Sequence, residues 1–195
     1  MNLKIVLLFV TILVAQVGWA KTCPYSVDFK GAEVHWTAFK TTEKAPVSGV
    51  FKKFEIFAKD KNLKANSIKE ILKNHSIDVD TRSVFSKNKA RDIKIAKFFF
   101  GNMTSPTVKA KIKNPKGTTF GVAVLELYFN DVRGNIPVDY ELKDGYLTFN
   151  GSFDMLDFAL EKSHAEISKA CSVKHKKKTW TDAEFKFRIP VKKSC

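Results

Sequence analysis

Apolar and polar residues alternate almost without interruption along several segments in the second half of the chain. The clearest runs cover residues 108–113, 136–143, 147–155 and 182–189, where apolar or small side chains occupy every second position. Successive side chains of a strand point to opposite faces of a sheet, so each run has one apolar and one polar face. Such strands belong to antiparallel sheets with one face towards water. The pattern therefore predicts an antiparallel sheet whose buried face is rich in aromatic residues.

The rest of the chain predicts four further strands. Three of them lie at residues 34–40, 47–58 and 75–81. The apolar positions of the 47–58 segment change phase midway, which indicates a β-bulge. The fourth, at residues 120–129, is apolar on both faces apart from Glu126, which suggests that a helix at residues 158–171 covers one of these faces. With the four alternating runs, the predicted strands number eight.

Helices are predicted at two places between these strands. Ser67 and Glu70 form a capping box in front of a short apolar stripe, which predicts a short helix. A longer helix is expected between Asp157, its candidate N-cap, and Cys171. Residues 88–100 fit two interpretations: the apolar spacing is helical at first, whereas the three final phenylalanines resemble a buried strand.

Turn residues connect the later strands directly. Asp144-Gly145 is a strong two-residue hairpin signal, and further turns are indicated at residues 115–117 and 130–134. Consecutive hairpins predict an up-and-down meander, and eight antiparallel strands with one apolar face predict a closed β-barrel with short helices, one of them before the last strand. A barrel of this size either fills its interior with side chains or holds one small ligand.

A basic and apolar leader precedes the predicted sheet. Lys4 is followed by an apolar run over residues 5–15, and the small residues Gly18 and Ala20 stand at the third-from-last and last positions before the expected cleavage site. This order is typical of a cleavable secretory signal. The alternative, an uncleaved membrane anchor, is disfavoured because the run is too short to span a bilayer comfortably. The sequence predicts a signal peptide at residues 1–20 and a single exported, periplasmic domain at residues 21–195.

The chain is strongly basic, with a formal net charge of +14 that falls to +13 when Lys4 leaves with the leader. Exported proteins seldom meet nucleic acid, and the basic residues are spread over the outward positions of many strands. We therefore expect no nucleic-acid partner. A weak association with anionic membrane surfaces is expected instead, through the summed field of these charges.

Three cysteines follow the leader: Cys23, Cys171 and Cys195. An oxidising compartment allows one disulfide and leaves one free thiol. Cys23 precedes the first predicted strand and Cys195 follows the last, and these ends meet if the two strands pair antiparallel. The sequence therefore favours a Cys23–Cys195 disulfide, with Cys23–Cys171 as the alternative.

Seven short stretches, spread in order over nearly the whole mature chain, carry a resemblance to a known family. They lie at residues 34–40, 47–51, 80–84, 90–92, 97–100, 153–158 and 175–180. Together they resemble the YceI family of exported, lipocalin-like barrels that bind polyisoprenoid lipids. The resemblance implies an eight-stranded lipocalin-like β-barrel, a periplasmic location and a long apolar ligand, such as a polyprenyl or quinone-like tail, in the lumen. It implies no settled reaction.

Inward apolar side chains of the predicted strands are the candidate walls of this lumen. A tunnel for an isoprenoid needs apolar walls and few buried polar groups. The alternative for the same residues is an ordinary packed core. The candidate lipid-lining residues are Trp36, Phe51, Ile77, Val79, Phe98, Phe99, Leu125, Leu127, Phe129, Ile136, Val138, Tyr140, Leu147, Phe149, Phe153, Phe185 and Phe187.

The sequence contains no nucleophile elbow, glycine-rich phosphate loop or paired-carboxylate pattern, so we expect no catalytic residues. Arg91 and Asp92 predict a structural ion pair. His164, Cys171 and His175 are spaced for one helix face and are residue types that bind zinc or copper. No fourth ligand is evident and the helix should end before Lys176, so we expect neither a metal nor another cofactor.

These observations favour a periplasmic binding or carrier protein for an isoprenoid-type lipid. Two alternatives stay open. One is an enzyme of isoprenoid or quinone lipid metabolism, and the other is a cationic membrane-surface-binding module whose barrel is merely structural.

Overall fold

The computed structural model describes residues 23–58, 64–73, 75–174, 176 and 178–195. The predicted signal peptide, and His175 of the predicted histidine and cysteine group, lie outside these residues. Within them the chain forms one connected antiparallel sheet with a few short helices. The strands are β1 (Tyr25–Val27), β2 (Glu33–Lys40), β3 (Ala45–Phe51), β4 (Phe54–Ala58), β5 (Lys64–Ala65), β6 (His75–Asp80), β7 (Val84–Phe85), β8 (Thr107–Gly117), β9 (Phe120–Phe129), β10 (Val132–Lys143), β11 (Tyr146–Asp154) and β12 (Thr179–Lys193).

The predicted number of eight strands is too low, because the sheet formed by the described residues has twelve. The predicted 47–58 strand is divided into β3 and β4 at Lys52 and Lys53, which is where the apolar phase changes. The other additions, β1, β5 and β7, have only two or three residues each. Strands this short carry no alternation that a sequence pattern could reveal.

The strand order is β4-β6-β8-β9-β10-β11-β12-β2-β3-β7. From β8 to β12 the strands follow one another as a meander, as the alternating runs predict. Tight turns join β8 to β9, β9 to β10 and β10 to β11, whereas a 3₁₀-helix and α3 connect β11 to β12. The predicted turn at residues 115–117 is wrong, because these residues belong to β8 and the turn lies at Thr118 and Thr119. β4 stands at one end of this order and β3 near the other, yet only two residues of chain separate them. The sheet must therefore curl round on itself, which places its inward side chains around a common interior. Its end strands β4 and β7 do not pair with each other within the described residues, so the sheet is curled but the predicted closed barrel is not confirmed.

In the part of the chain that the structure describes, three α-helices accompany the sheet: α1 (Ile68–Lys73), α2 (Lys89–Lys94) and α3 (Glu161–Cys171). α1 begins with the predicted capping box, in which the Glu70 amide donates to Ser67 Oγ at 3.3 Å and the Glu70 carboxylate accepts from the Asn66 amide at 2.8 Å. The ambiguous 88–100 segment is helical throughout, since α2 continues into a π-helix at Ile95–Phe99.

The predicted N-cap of α3 is wrong. Asp157 lies inside a separate 3₁₀-helix, Met155–Phe158, whose first turn is capped by Asp154 accepting from the Leu156 amide at 2.9 Å. α3 itself starts after Leu160, which makes no capping hydrogen bond through its side chain. The prediction failed because the chain inserts this short helix between β11 and α3.

The two ends of the curled sheet differ. The hairpin end carries the β8–β9 and β10–β11 turns, and the predicted Cys23–Cys195 disulfide is confirmed there, beside the pairing of Tyr25 with Lys193. The helical end carries the β9–β10 turn and α3. Among the described residues, no helix is both long enough and apolar enough to cross a membrane.

α3 does not cover the outer face of β9, contrary to the sequence interpretation. It packs instead on the π-helix, on the 3₁₀-helix Met155–Phe158 and on β12, and so caps the helical end of the sheet. The outward residues Phe120, Val122 and Tyr128 of β9 consequently remain exposed.

Candidate functional site

The curled sheet encloses an elongated, mainly apolar cavity of about 530 Å³. It reaches from Phe29 and His75 near the hairpin end to Ile167 and Cys171 of α3 at the helical end. Thirteen of the predicted lining residues do line it: Trp36, Phe51, Ile77, Val79, Phe99, Leu125, Leu127, Phe129, Leu147, Phe149, Phe153, Phe185 and Phe187.

The other four predicted residues do not line the cavity. Ile136, Val138 and Tyr140 are buried in the wall itself, with 2–5% of their surface exposed. Phe98 packs against the hydrophobic core from the π-helix and carries the Lys97 ammonium 5.2 Å from its ring centroid.

Neighbouring aromatic rings explain why the inward residues of β10 do not reach the cavity. Phe158 lies so close to Gly134 that an added Cβ would come within 2.7 Å of its ring. The same ring contacts Phe129 and Phe153, with centroid distances of 5.8 and 5.5 Å. Further along β10, the Tyr140 hydroxyl donates to the Lys116 carbonyl at 3.0 Å. This side of the sheet is therefore solid core.

Helical segments supply lining residues that the strand pattern did not predict. Ile71 and Leu72 of α1 close the cavity near the hairpin end, and Ile95, Phe100 and Ile167 contribute at the helical end. The apolar stripe of α1 is visible in the sequence, but its direction depends on how the helix packs. A search for helical stripes beside the strand pattern could have added Ile71 and Leu72 to the candidates.

Two inward glycines make room for large rings beside the cavity. Trp36 lies over Gly49, its partner on β3, so that a Cβ there would come within 2.6 Å of the indole. Phe185 lies over Gly151 of β11 in the same way, at 2.5 Å. Any side chain at these positions would push an aromatic wall residue into the cavity.

Two buried polar atoms of the wall have no hydrogen-bond partner among the described residues: Trp36 Nε1 and His75 Nε2. His75 Nδ1 contacts the Ile71 carbonyl and must donate its proton there, which makes Nε2 an acceptor in the neutral ring. Burial lowers the pKa of His75 from its ordinary value and so favours this neutral form. The cavity thus contains one unpaired donor and one unpaired acceptor.

Cationic residues line the helical end of the cavity. Lys94 donates to the Ala170 carbonyl at 3.0 Å, which ties α2 to the end of α3. Arg91 does not form the predicted direct pair with Asp92. Arg91 donates to the hydroxyl and the carbonyl of Ser86, both at 2.7 Å, while Asp92 accepts from the Ser86 amide at 2.9 Å. Ser86 therefore holds both charged residues in place.

The residues considered for a metal site do not come together within the described part of the chain. His164 Nε2 contacts the Thr179 carbonyl at 3.1 Å, and Cys171 is a free cysteine at the cavity wall. No group of three His, Cys, Asp or Glu side chains there is placed to hold a metal ion.

Comparison with known proteins agrees with this architecture. Among solved structures, a polyisoprenoid binding domain from Saccharophagus degradans matches with a TM-score of 0.57 and 11% identity, over 89% of this chain and 99% of that chain. BcnA from Burkholderia cenocepacia matches with a TM-score of 0.55 and 20% identity, over 85% and 99% of the two chains. The Campylobacter jejuni YCEI protein matches with a TM-score of 0.54 and 17% identity, over 77% and 87%.

A search of the curated proteins gave no match. At identities this low, the structural matches establish the fold alone. The sequence model of the YceI-like domain matches residues 25–191. This range includes both ends of the cavity and every strand, apart from the last two residues of β12. The chain therefore belongs to the YceI family.

Proposed function

We propose that this protein is a periplasmic binding or carrier protein for an isoprenoid-type lipid, with a polyprenyl or quinone-like tail held in the cavity. The observation that carries the proposal is the cavity itself, about 530 Å³ and walled by aromatic and aliphatic side chains. Pockets of this size bury most of the surface of a small ligand. The polyisoprenoid binding described for the Saccharophagus degradans domain supports the same ligand class.

Apolar burial supplies the affinity in this proposal. Each methylene group removed from water contributes about 0.8 kcal/mol. A bilayer offers a prenyl tail nearly the same gain, so the free energy of transfer between membrane and protein should be close to zero. A small free-energy difference suits a carrier, which must release its ligand as well as take it up. Binding without chemical conversion is part of the proposal.

Export is the second part of the proposal. The Cys23–Cys195 disulfide supports an oxidising compartment, and the leader supports a secretory route. N-terminal sequencing of protein recovered from the periplasm should give Lys21 as the first residue. Recovery of a membrane-bound form that retains Met1 would contradict export by a cleaved signal.

Mass spectrometry of an organic extract from the purified protein tests the ligand. We expect a lipid with repeated isoprene units, in stoichiometric amount. An extract that contains no lipid, from protein that also fails to take up added polyprenol, would contradict the proposal and favour a merely structural interior.

A further inference from the structure

A groove on the outer surface at the hairpin end is lined by five lysines. Lys69 and Lys73 come from α1, and Lys111, Lys113 and Lys116 come from β8. The described residues that line it include no acidic side chain. We call these five residues the lysine groove. Its two walls lie far apart in the sequence, so only the packing of α1 on β8 brings the charges together.

The local structure of each wall directs the lysines outwards. Lys69 and Lys73 are four residues apart on α1 and so share a helix face. On β8 the alternation places Lys111 and Lys113 outwards, and a bulge follows, since Lys113 pairs with Val124 but Lys116 pairs with Val122. The extra residue reverses the alternation and adds Lys116 to the same face.

Most of this charge is not neutralised by the protein. Lys113 forms an ion pair with Glu126, at 3.5 Å. Within the described part of the chain, Lys69, Lys73, Lys111 and Lys116 have no carboxylate within ion-pair distance. Like charges held together in this way oppose folding slightly, and an external anion would relieve their repulsion.

An exposed apolar pair lies directly beside the lysine groove. Val122 faces Lys116 across the β8–β9 ladder, and Phe120 follows on the same face near the turn. They are 51% and 71% exposed, so neither is part of a core. Asp139 and Glu141 of β10 border this pair on the side away from the lysines. The surface that is both basic and apolar therefore extends from Phe120 towards β8 and α1, and ends at β10.

We propose that the lysine groove and the Phe120–Val122 pair form the surface through which this protein docks on an anionic lipid bilayer. Lysine ammonium groups attract lipid phosphates, and an exposed aromatic ring beside them suits the boundary between headgroups and acyl chains. A second copy of this chain is a poor partner, because a symmetric contact would bring the two lysine sets together. A soluble polyanion would leave Phe120 and Val122 without a role.

The proposed docking surface adjoins the cavity through one helix. Ile71 and Leu72, on the buried side of α1, line the cavity, while Lys69 and Lys73 line the groove. Docking would therefore place α1 between the bilayer and the cavity. The cavity and the groove also share Lys111 and Ile112 of β8. This proposal does not depend on the identity of the cavity ligand, because it concerns only the outer surface.

The test is cosedimentation of the mature protein with vesicles of phosphatidylglycerol and phosphatidylethanolamine in equal parts, and with neutral phosphatidylcholine vesicles. We expect binding only to the anionic vesicles. The double variant Lys69→Gln/Lys73→Gln should bind about thirtyfold more weakly, since each lysine near an anionic surface contributes roughly fivefold. Glutamine is a good helix former, so α1 should persist.

Lys162→Gln/Lys169→Gln is the matched control, because it makes the same charge change on exposed positions of α3 at the helical end. It should weaken binding by less than about threefold. Phe120→Ser should reduce the binding that remains at high salt, where charge attraction is screened. These three results together would support the proposal.

Three outcomes would overturn it. The control variant could lose as much binding as the α1 variant, which would mean that net charge alone acts. The α1 variant could bind anionic vesicles like the wild type. The α1 variant could also keep its vesicle binding while losing retention on heparin, which would make the groove a site for a soluble polyanion. The assay is repeated with protein from which the cavity lipid has been extracted. Vesicle binding that is the same with and without the lipid shows that docking is independent of ligand binding, so the two proposals can fail separately.

Discussion

Filling the cavity with a larger side chain would separate a ligand-binding lumen from an ordinary packed core. Ala110 lies on β8 between Ile77 and Leu127 of the neighbouring strands, and all three residues line the cavity. In Ala110→Phe the new ring would enter the 530 Å³ space. Burial of a phenylalanine side chain should then stabilise the protein by about 2 kcal/mol.

Ala123→Phe is the matched control. Ala123 lies on the neighbouring strand, also faces inwards and is 5% exposed, but it is packed in the wall opposite Val138 and does not line the cavity. The same enlargement there should overpack the core and cost about 1–3 kcal/mol. The two substitutions are chemically identical, so the difference in sign reports only the space in front of each alanine.

Thermal unfolding of the lipid-free proteins measures both effects, because a bound ligand would stabilise the wild type selectively. For a domain of this size, 1 kcal/mol corresponds to about 2–4 °C, so Ala110→Phe should raise the Tm by about 4–8 °C and Ala123→Phe should lower it. Ala110→Phe should also copurify with less lipid. If both variants are destabilised alike, or if Ala110→Phe retains the wild-type amount of lipid, the reasoning fails.

Three further predictions follow from charge, burial and the disulfide. Phe149→Asp should abolish lipid binding, because it places an unpaired carboxylate among the apolar walls of the cavity. Lys186→Asp, on the outer face, should bind lipid like the wild type. Equal amounts of lipid in the two folded variants would argue against the lumen as the binding site. Burial lowers the pKa of His75, so the unfolded state binds more protons than the folded state below about pH 6.5. The free energy of unfolding should therefore fall as the pH drops from 7 to 5. His75→Gln should reduce this slope in denaturant titrations, and an unchanged slope would assign it to other groups. Reduction of the Cys23–Cys195 disulfide, which spans 172 residues, should lower the free energy of unfolding by about 2–4 kcal/mol, and finding three reactive thiols in the oxidised protein would refute the pairing.

The sequence predicted a large part of the fold because strand alternation is a local property. The runs that became β8 to β12 are bounded by turn residues, and each residue's face follows from its position along the strand. The Ser67–Glu70 capping box predicted the start of α1 for the same reason, since its hydrogen bonds lie within one turn. The Cys23–Cys195 pairing followed from which segments begin and end the sheet.

The tertiary structure decided what lies opposite each inward residue. Leu127 and Val138 follow the same alternation, yet Leu127 lines the cavity while Val138 is enclosed by the wall, because the Phe185 ring and Val138 meet over Gly151. The lysine groove likewise depends on the packing of α1 against β8. A periodic pattern fixes the face of a residue, but a cavity or a groove is the space between segments distant in sequence, and only their packing determines whether that space is filled.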